Sequence, residues 1–493
     1  MKRQWMIAAQ VALLASLGTW LSGCGGGSTG STTPPPPVPK IQNINSSTTP
    51  TNPVGLPIEI NGSGFQAAPG KVNFTQGSIS VDVVPAASAW SDTGIVAVVP
   101  AGNGTTNFTV PGTVSVTVVT TGGTSNAVTL NLIQTLTFNP SGMGWGTTTA
   151  LPKAMTGLRA IGVQGSTSTS AYVVVTGGYD GTANTTTVLT NTLNSNGTLG
   201  ATWTTSTNPL PFARAHHAMA EADDSNSLVA AGSRYIYVIG GQQASTDAPG
   251  GTNTVYIASV TASSGAIGTW TASPNTLPQA LVGMSATVHN GYLYVAGGLT
   301  TGAIPTNAVY SAPINTDGTI GTWTTATNTL PTAAAFGEMF VFGGKIYWID
   351  GDPNNSTAPN AQGTGNTNVY YASALRGTVG TWTLNPNLTI HNRAKGVLYP
   401  AFGQVISGEG VYSGNPGSGE FEVSTVNADG TLASWNGLTG VNVPAANVYN
   451  AGGFVSPLIS PTNTPRFLLL GGQAYSLTPP GALSSKVYYN TAP

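Results

Sequence analysis

Nine ionisable side chains stand at one recurrent place along this 493-residue chain: Lys153, Arg159, Arg214, His216, His217, Glu338, His391, Arg393 and Lys395. Charged residues make up only 6% of the sequence, so it is a concentration that five of the twelve lysines and arginines beyond Lys2 and Arg3 fall there. Arginine grips a carboxylate through paired hydrogen bonds, and a cationic rim with one carboxylate suits a carboxylated or sulfated sugar. Arg214, His217, Glu338, His391, Arg393 and Lys395 are therefore the candidate ligand-binding residues. Glu338 with His217 or His391 would also make an acid-base pair.

Other chemistries find little support. Asp350-Gly351-Asp352-Pro353-Asn354 alternates oxygen ligands like the start of a calcium loop, but Asn355 stands where glycine belongs and Ala361 where a bidentate glutamate belongs. It reads as a turn. No phosphate loop, zinc spacing or Ser-His-Asp order is visible, and no metal or cofactor is expected. Cys24 is the only cysteine, which leaves the folded part without a disulfide, a thiolate metal site or a cysteine nucleophile.

The elements that must position these side chains repeat. Tryptophans at 145, 203, 270, 323, 382 and 435 recur at intervals of 53 to 67 residues. Before each but the first lies a β-branched or aromatic run stopped by glycine, as in Tyr235-Ile236-Tyr237-Val238-Ile239-Gly240-Gly241 and Tyr292-Leu293-Tyr294-Val295-Ala296-Gly297-Gly298. Glycine supplies the turn that a side chain would obstruct. A Val-Tyr strand follows, then a hairpin turn such as Asn315-Thr316-Asp317-Gly318, then the tryptophan. A Leu-Pro pair (Leu151-Pro152, Leu210-Pro211, Leu277-Pro278, Leu330-Pro331) opens the next unit. Four strands per repeat of this length predict a β-propeller, not a solenoid. The last unit ends on its third strand at Lys486-Val487-Tyr488-Tyr489, and Gly142 to Thr149 is a fourth strand with no preceding three. The two ends are expected to complete one blade together, giving six. The copy around Val405-Ile406-Ser407-Gly408-Glu409-Gly410 is the most degraded. In such a blade the candidate residues line the mouth of a central channel.

These residues resemble the Kelch family: a hydrophobic strand ending in Gly-Gly, a Val-Tyr strand, a tryptophan, and Arg214-Ala215-His216-His217 before a second strand. The resemblance covers residues 140–493 and implies architecture more than activity, because Kelch propellers include enzymes, adhesins and scaffolds. It also implies a structural reading for Arg214 and His217, since the family's arginine and histidine fasten neighbouring blades. Galactose oxidase, a Kelch enzyme, needs a cysteine crosslinked to a copper-ligating tyrosine, which this chain lacks. N-acetylneuraminate epimerase is a six-bladed Kelch protein, but no motif here matches it closely enough to carry residues over.

The chain opens differently. Lys2 and Arg3 precede an apolar stretch from Met6 to Leu21, too short to span a bilayer comfortably and typical of a signal peptide over residues 1–23. Leu21-Ser22-Gly23-Cys24 resembles a bacterial lipobox, which implies lipidation of Cys24 and a membrane as partner. Gly25 is not the aspartate that retains enterobacterial lipoproteins at the inner membrane, so the outer membrane or cell surface is the expected destination. Residues 24–38 form a Gly/Ser/Pro-rich linker. Over residues 39–133, Pro57-Ile58-Glu59-Ile60-Asn61-Gly62-Ser63-Gly64-Phe65 and Trp90-Ser91-Asp92-Thr93 resemble an IPT/TIG domain, implying an Ig-like β-sandwich with Trp90 in its core.

The expected fold is thus all-β: an N-terminal Ig-like β-sandwich followed by a six-bladed Kelch-like β-propeller. A net charge of -2 and a pI near 6.0 give no footprint for nucleic acid. The expected function is a monomeric, lipid-anchored envelope protein whose propeller binds glycans or proteins at its channel face. The alternatives are a carbohydrate-active enzyme of the mutarotase or epimerase type and a structural or assembly component of the envelope.

Overall fold

The computed structural model describes residues 35–491 apart from 48–49, 134–137, 168, 244–250, 355–364, 412–419, 428, 442, 445–447, 458–464 and 475–480. The expected signal peptide and Cys24 lie outside the described residues, as do Asn355 and Ala361 of the calcium-like stretch. The described chain is all-β, broken only by a single 3-10 turn at Ala87–Ala89, and is built from many small antiparallel sheets.

Six of these are four-stranded meanders that follow one another along the chain, numbered here from 1 to 6. Sheet 1 runs Arg159–Gln164, Ala171–Thr176, Val188–Leu193, Thr204–Thr205, and sheet 2 runs Ala218–Asp223, Arg234–Ile239, Val255–Ser259, Thr271–Ala272. Sheet 3 follows with Ser285–His289, Tyr292–Ala296, Val309–Pro313, Thr324–Thr325, and sheet 4 with Glu338–Phe342, Lys345–Ile349, Val369–Leu375, Thr383–Leu384. Sheet 4 carries an extra short strand, Thr378–Val379. Sheet 5, over the degraded copy, is nonetheless regular: Val397–Ala401, Gln404–Gly408, Phe421–Thr425, Asn436–Leu438. Sheet 6 combines Gly452–Val455, Phe467–Leu470 and Val487–Thr491 with Gly144–Thr148, so that Trp145 lies opposite Asn490.

The burial pattern explains the sequence pattern. Second strands such as Tyr292–Ala296 are packed on both faces, which is why they read as continuous apolar runs and not as alternations. Fourth strands such as Thr324–Thr325 are exposed and polar, as outer edges should be. The first strands of the six sheets touch in cyclic order, 1 to 2 to 3 to 4 to 5 to 6 and back to 1. They surround a cavity of about 150 Å³.

Neighbouring sheets are joined by a repeated clamp that the sequence reading did not find. Trp270, Trp323 and Trp382 each donate their indole N–H to the backbone carbonyl of Asn208, Asn275 and Asn328, at 3.1, 3.0 and 3.2 Å. Each asparagine returns a side-chain hydrogen bond to the carbonyl three residues before that tryptophan, on Ile267, Ile320 and Val379. A second contact lies beside it: the hairpin-turn glycine of one sheet lies against a tyrosine at the start of the previous sheet's second strand, Gly318 on Tyr235 and Gly377 on Tyr292.

Residues 40–133 form two further sheets around one apolar core. Trp90 belongs to that core and donates its N–H to the carbonyls of Phe65 and Gln66. This part lies against the first-to-second-strand turns of sheets 3 and 4. Asn290 accepts hydrogen bonds from Ser46 and Asn61. His289 Nε2 sits 2.9 Å from Glu59 Oε2, and Pro57 and Val96 press on Gly343 and Gly344.

Candidate functional site

Each sheet is entered through a left-handed residue. Gly157, His216, Gly283, Phe336, Lys395 and Asn450 have φ between 54° and 66°, two residues or fewer before a first strand. For the four that are not glycine this conformation costs about 1–2 kcal/mol each. What offsets it is a closed circle of backbone hydrogen bonds. His216 N–H donates to Gly157, Gly283 to His216, Phe336 to Gly283, Lys395 to Phe336, Asn450 to Lys395 and Gly157 to Asn450, all between 2.7 and 3.0 Å. The backbone N–H and C=O of all six residues are thereby used, and all six residues are buried. In the first four sheets the left-handed residue falls six positions after the leucine of the Leu-Pro pair, a spacing that could have located the circle in advance.

Beneath the circle, Arg159 of sheet 1 crosses to Glu338 of sheet 4 on the opposite side, Nη1 to Oε1 at 3.3 Å. Arg159 Nε also donates to the carbonyl of His217 at 2.9 Å. Burial pushes the Glu338 carboxyl up, and Arg159 partly opposes that.

The six predicted ligand residues do not form one cluster. Arg214 is fully buried, donating to Gly240 O at 2.6 Å and to Thr254, with its guanidinium 4.6 Å from the Tyr256 ring. Burial brings its pKa down to about 10, still cationic at neutral pH. His217 is turned away from the cavity into the seam between sheets 1 and 2, with Nε2 2.8 Å from Thr176 Oγ1. Burial, reinforced by Arg159 and Arg214, holds it well below the usual imidazole range and hence neutral. Glu338 is bonded to Arg159, so the acid-base pairing with His217 or His391 is not made. Lys395 belongs to the circle, its ammonium 4.7 Å from the Phe336 ring.

His391 and Arg393 do meet, and they gather carboxylates that the sequence reading passed over. Arg393 Nε lies 3.2 Å from Glu422 Oε1, its Nη1 donates to Glu409 O at 3.0 Å, and its Nη2 is 3.2 Å from His391 Nδ1. Because an arginine only donates, Nδ1 must accept, which leaves the imidazole proton on Nε2. That atom is 2.7 Å from Glu420 Oε2. The result is a line from solvent to core: Glu420, His391, Arg393, Glu422. Glu422 also accepts Ile390 N–H at 2.6 Å. No family model and no curated protein matches this chain.

Two buried acids flank the line. Elsewhere the second strand ends in Gly-Gly, both with positive φ; sheets 4 and 5 end in Asp350-Gly351 and Glu409-Gly410, with Asp350 at φ 61° and Glu409 at 55°. At Gly177, Gly240 and Gly471 an added Cβ would strike His217, Met284 and Leu158 of the next sheet. The residues at the corresponding place after Asp350 and Glu409 are Gly396 and Ala451, which leave that space open. Asp350 accepts from Thr389 at 2.7 Å and Ser407 at 3.3 Å. Burial, with Glu422 nearby, raises it well above the carboxylate range. Glu409 is pushed up to about 7 by burial, although Val448 N–H donates to its Oε2 at 2.8 Å.

Proposed function

We propose that this chain is a lipid-anchored recognition protein of the cell envelope. Lipidated Cys24 holds it at the outer membrane, residues 39–133 are an IPT/TIG-type Ig-like spacer, and residues 140–493 are a six-bladed Kelch-type β-propeller that binds a glycan or a protein. The circle of six backbone hydrogen bonds carries this reading. It favours a ring of six blades, and because it uses its own polar groups it moves recognition from the channel mouth to the loops around it. His391 and Glu420 are an ionisable pair that reaches solvent there, with side chains 23% and 40% exposed, and the buried Arg393–Glu422 pair fixes their geometry. The Glu420 carboxylate, held by the imidazole, keeps lone pairs that can accept from sugar hydroxyls.

The test is a glycan-array screen of residues 37–493, the compact unit, beside a His391→Gln, Glu420→Gln double variant. Binding lost in the variant supports recognition at this rim. Binding that persists in the variant places it elsewhere, and no glycan binding with a co-purifying envelope protein selects a protein ligand. Cys24→Ser should release the full-length protein from the membrane fraction.

A further inference from the structure

The six first strands enclose a cavity of about 150 Å³, the volume of about five waters. Met219, Met284, Leu398 and Phe454 are among the side chains that line it, its charged lining groups are Arg159 and Glu338, and more of the exposed lining is polar than apolar. The two side chains line this space and keep 22% and 24% of their surface exposed. Their contact uses one guanidinium nitrogen and one carboxylate oxygen, at a loose 3.3 Å. Arg159 is already oriented by its bond to His217 O. Among the described residues, Arg159 Nη2 and Glu338 Oε2 make no hydrogen bond. A concave space with a few convergent polar groups is a usual form of small-molecule site.

We propose that this cavity binds a small zwitterion, an α-amino acid with an apolar side chain, whose carboxylate pairs with Arg159 and whose ammonium pairs with Glu338. The four charges then alternate in sign around the pair, which neutralises a site where a lone anion or cation would leave one protein charge repelled and desolvated. The apolar side chain packs on the methionine and phenylalanine wall. The hydrogen-bonded circle closes one end of the cavity, so the ligand enters from the side of the first-to-second-strand turns. This site is separate from the His391–Glu420 rim and does not depend on it.

The experiment is thermal unfolding and calorimetric titration of residues 37–493 with glycine, L-alanine, L-leucine and L-methionine. Each is compared with its two halves: for leucine, 4-methylpentanoate, which lacks the ammonium, and 3-methylbutylamine, which lacks the carboxylate. The expected result is an amino acid bound at least tenfold more tightly than either half, with Arg159→Met and Glu338→Gln each abolishing the difference. No binding of any amino acid below 10 mM on the order of ordinary small-ligand affinities, or halves that bind as well as the whole, overturns the proposal. The comparison of halves is made in the unaltered protein, so it decides even if a variant fails to fold.

Discussion

The indole N–H of Trp323 donates to the backbone carbonyl of Asn275 at 3.0 Å, while the Asn275 side chain donates at 2.9 Å to Ile320 O, three residues before that tryptophan. Each partner satisfies the other's strand end, and the two belong to adjacent sheets. The same reciprocal pair joins Asn208 to Trp270 and Asn328 to Trp382. At the next seam Asn387 still donates to Leu432 O, but the Trp435 indole has no hydrogen-bond partner among the described residues.

The clamp predicts an ordering of mutational effects. Asn275→Ala removes one side-chain hydrogen bond and strands the Ile320 carbonyl, which should destabilise by about 1–2 kcal/mol. Asn387→Ala, at a half-made clamp, should couple to Trp435→Phe far less than Asn275→Ala couples to Trp323→Phe. Double-mutant cycles in urea read this directly, and equal coupling at the two seams would remove the clamp's claimed role.

Stability should fall as pH rises from acid to neutral. A carboxyl with a higher pKa in the folded than in the unfolded state binds an extra proton when folded, so its stabilising protonation is present below the unfolded value and lost as pH climbs through the folded one. For Glu409 that window runs from 4.5 to about 7, and for Glu221, raised by burial beside Asp223, from 4.5 to about 8. Each contributes a slope of about 1.4 kcal/mol per pH unit inside its window. Glu409→Gln should flatten the urea midpoint between pH 5 and 7 and raise it at pH 8. An unchanged profile would mean that Glu409 is ionised in the fold.

Arg393 and Glu422 are both essentially inaccessible, so their pairing is a different matter from a surface ion pair. Arg393→Ala leaves a carboxylate buried without its cation and should cost about 3–5 kcal/mol. Arg393→Met with Glu422→Gln should recover much of that loss. His391→Gln, at the exposed end of the line, should change stability little while altering any ligand binding at the rim.

Gly297 and Asp350 hold the same place in successive sheets, and they should not be interchangeable. A Cβ at Gly297 would come within 2.5 Å of Trp348 and 2.6 Å of Ala334 O, at φ 63°. Gly297→Asp should therefore abolish folding or lower the melting temperature by many degrees. Asp350→Asn keeps the shape, removes a carboxyl that burial disfavours when charged, and should stabilise at alkaline pH.

What the sequence determined is what local chemistry encodes. The apolar second strands, their glycine stops and the tryptophan spacing follow from strand propensity and turn geometry, which act over a few residues, and the repeat count, with a fourth strand left over at one end and missing at the other, points to the pairing of Gly144–Thr148 with Val487–Thr491. The same local signals place Leu-Pro eight residues before the first strands of sheets 1 to 4. What the tertiary structure alone decided are the partners of the charged side chains. Arg159 and Glu338 are 179 positions apart and meet only because sheets 1 and 4 face each other across the cavity. Arg393 points into its own sheet because Glu422 stands where Tyr256 stands for Arg214, a substitution visible in the sequence only once the strands are in register. The circle of left-handed residues exists only when all six segments are present. A hydrogen bond between successive segments has no local signature, and its free energy belongs to the assembled ring.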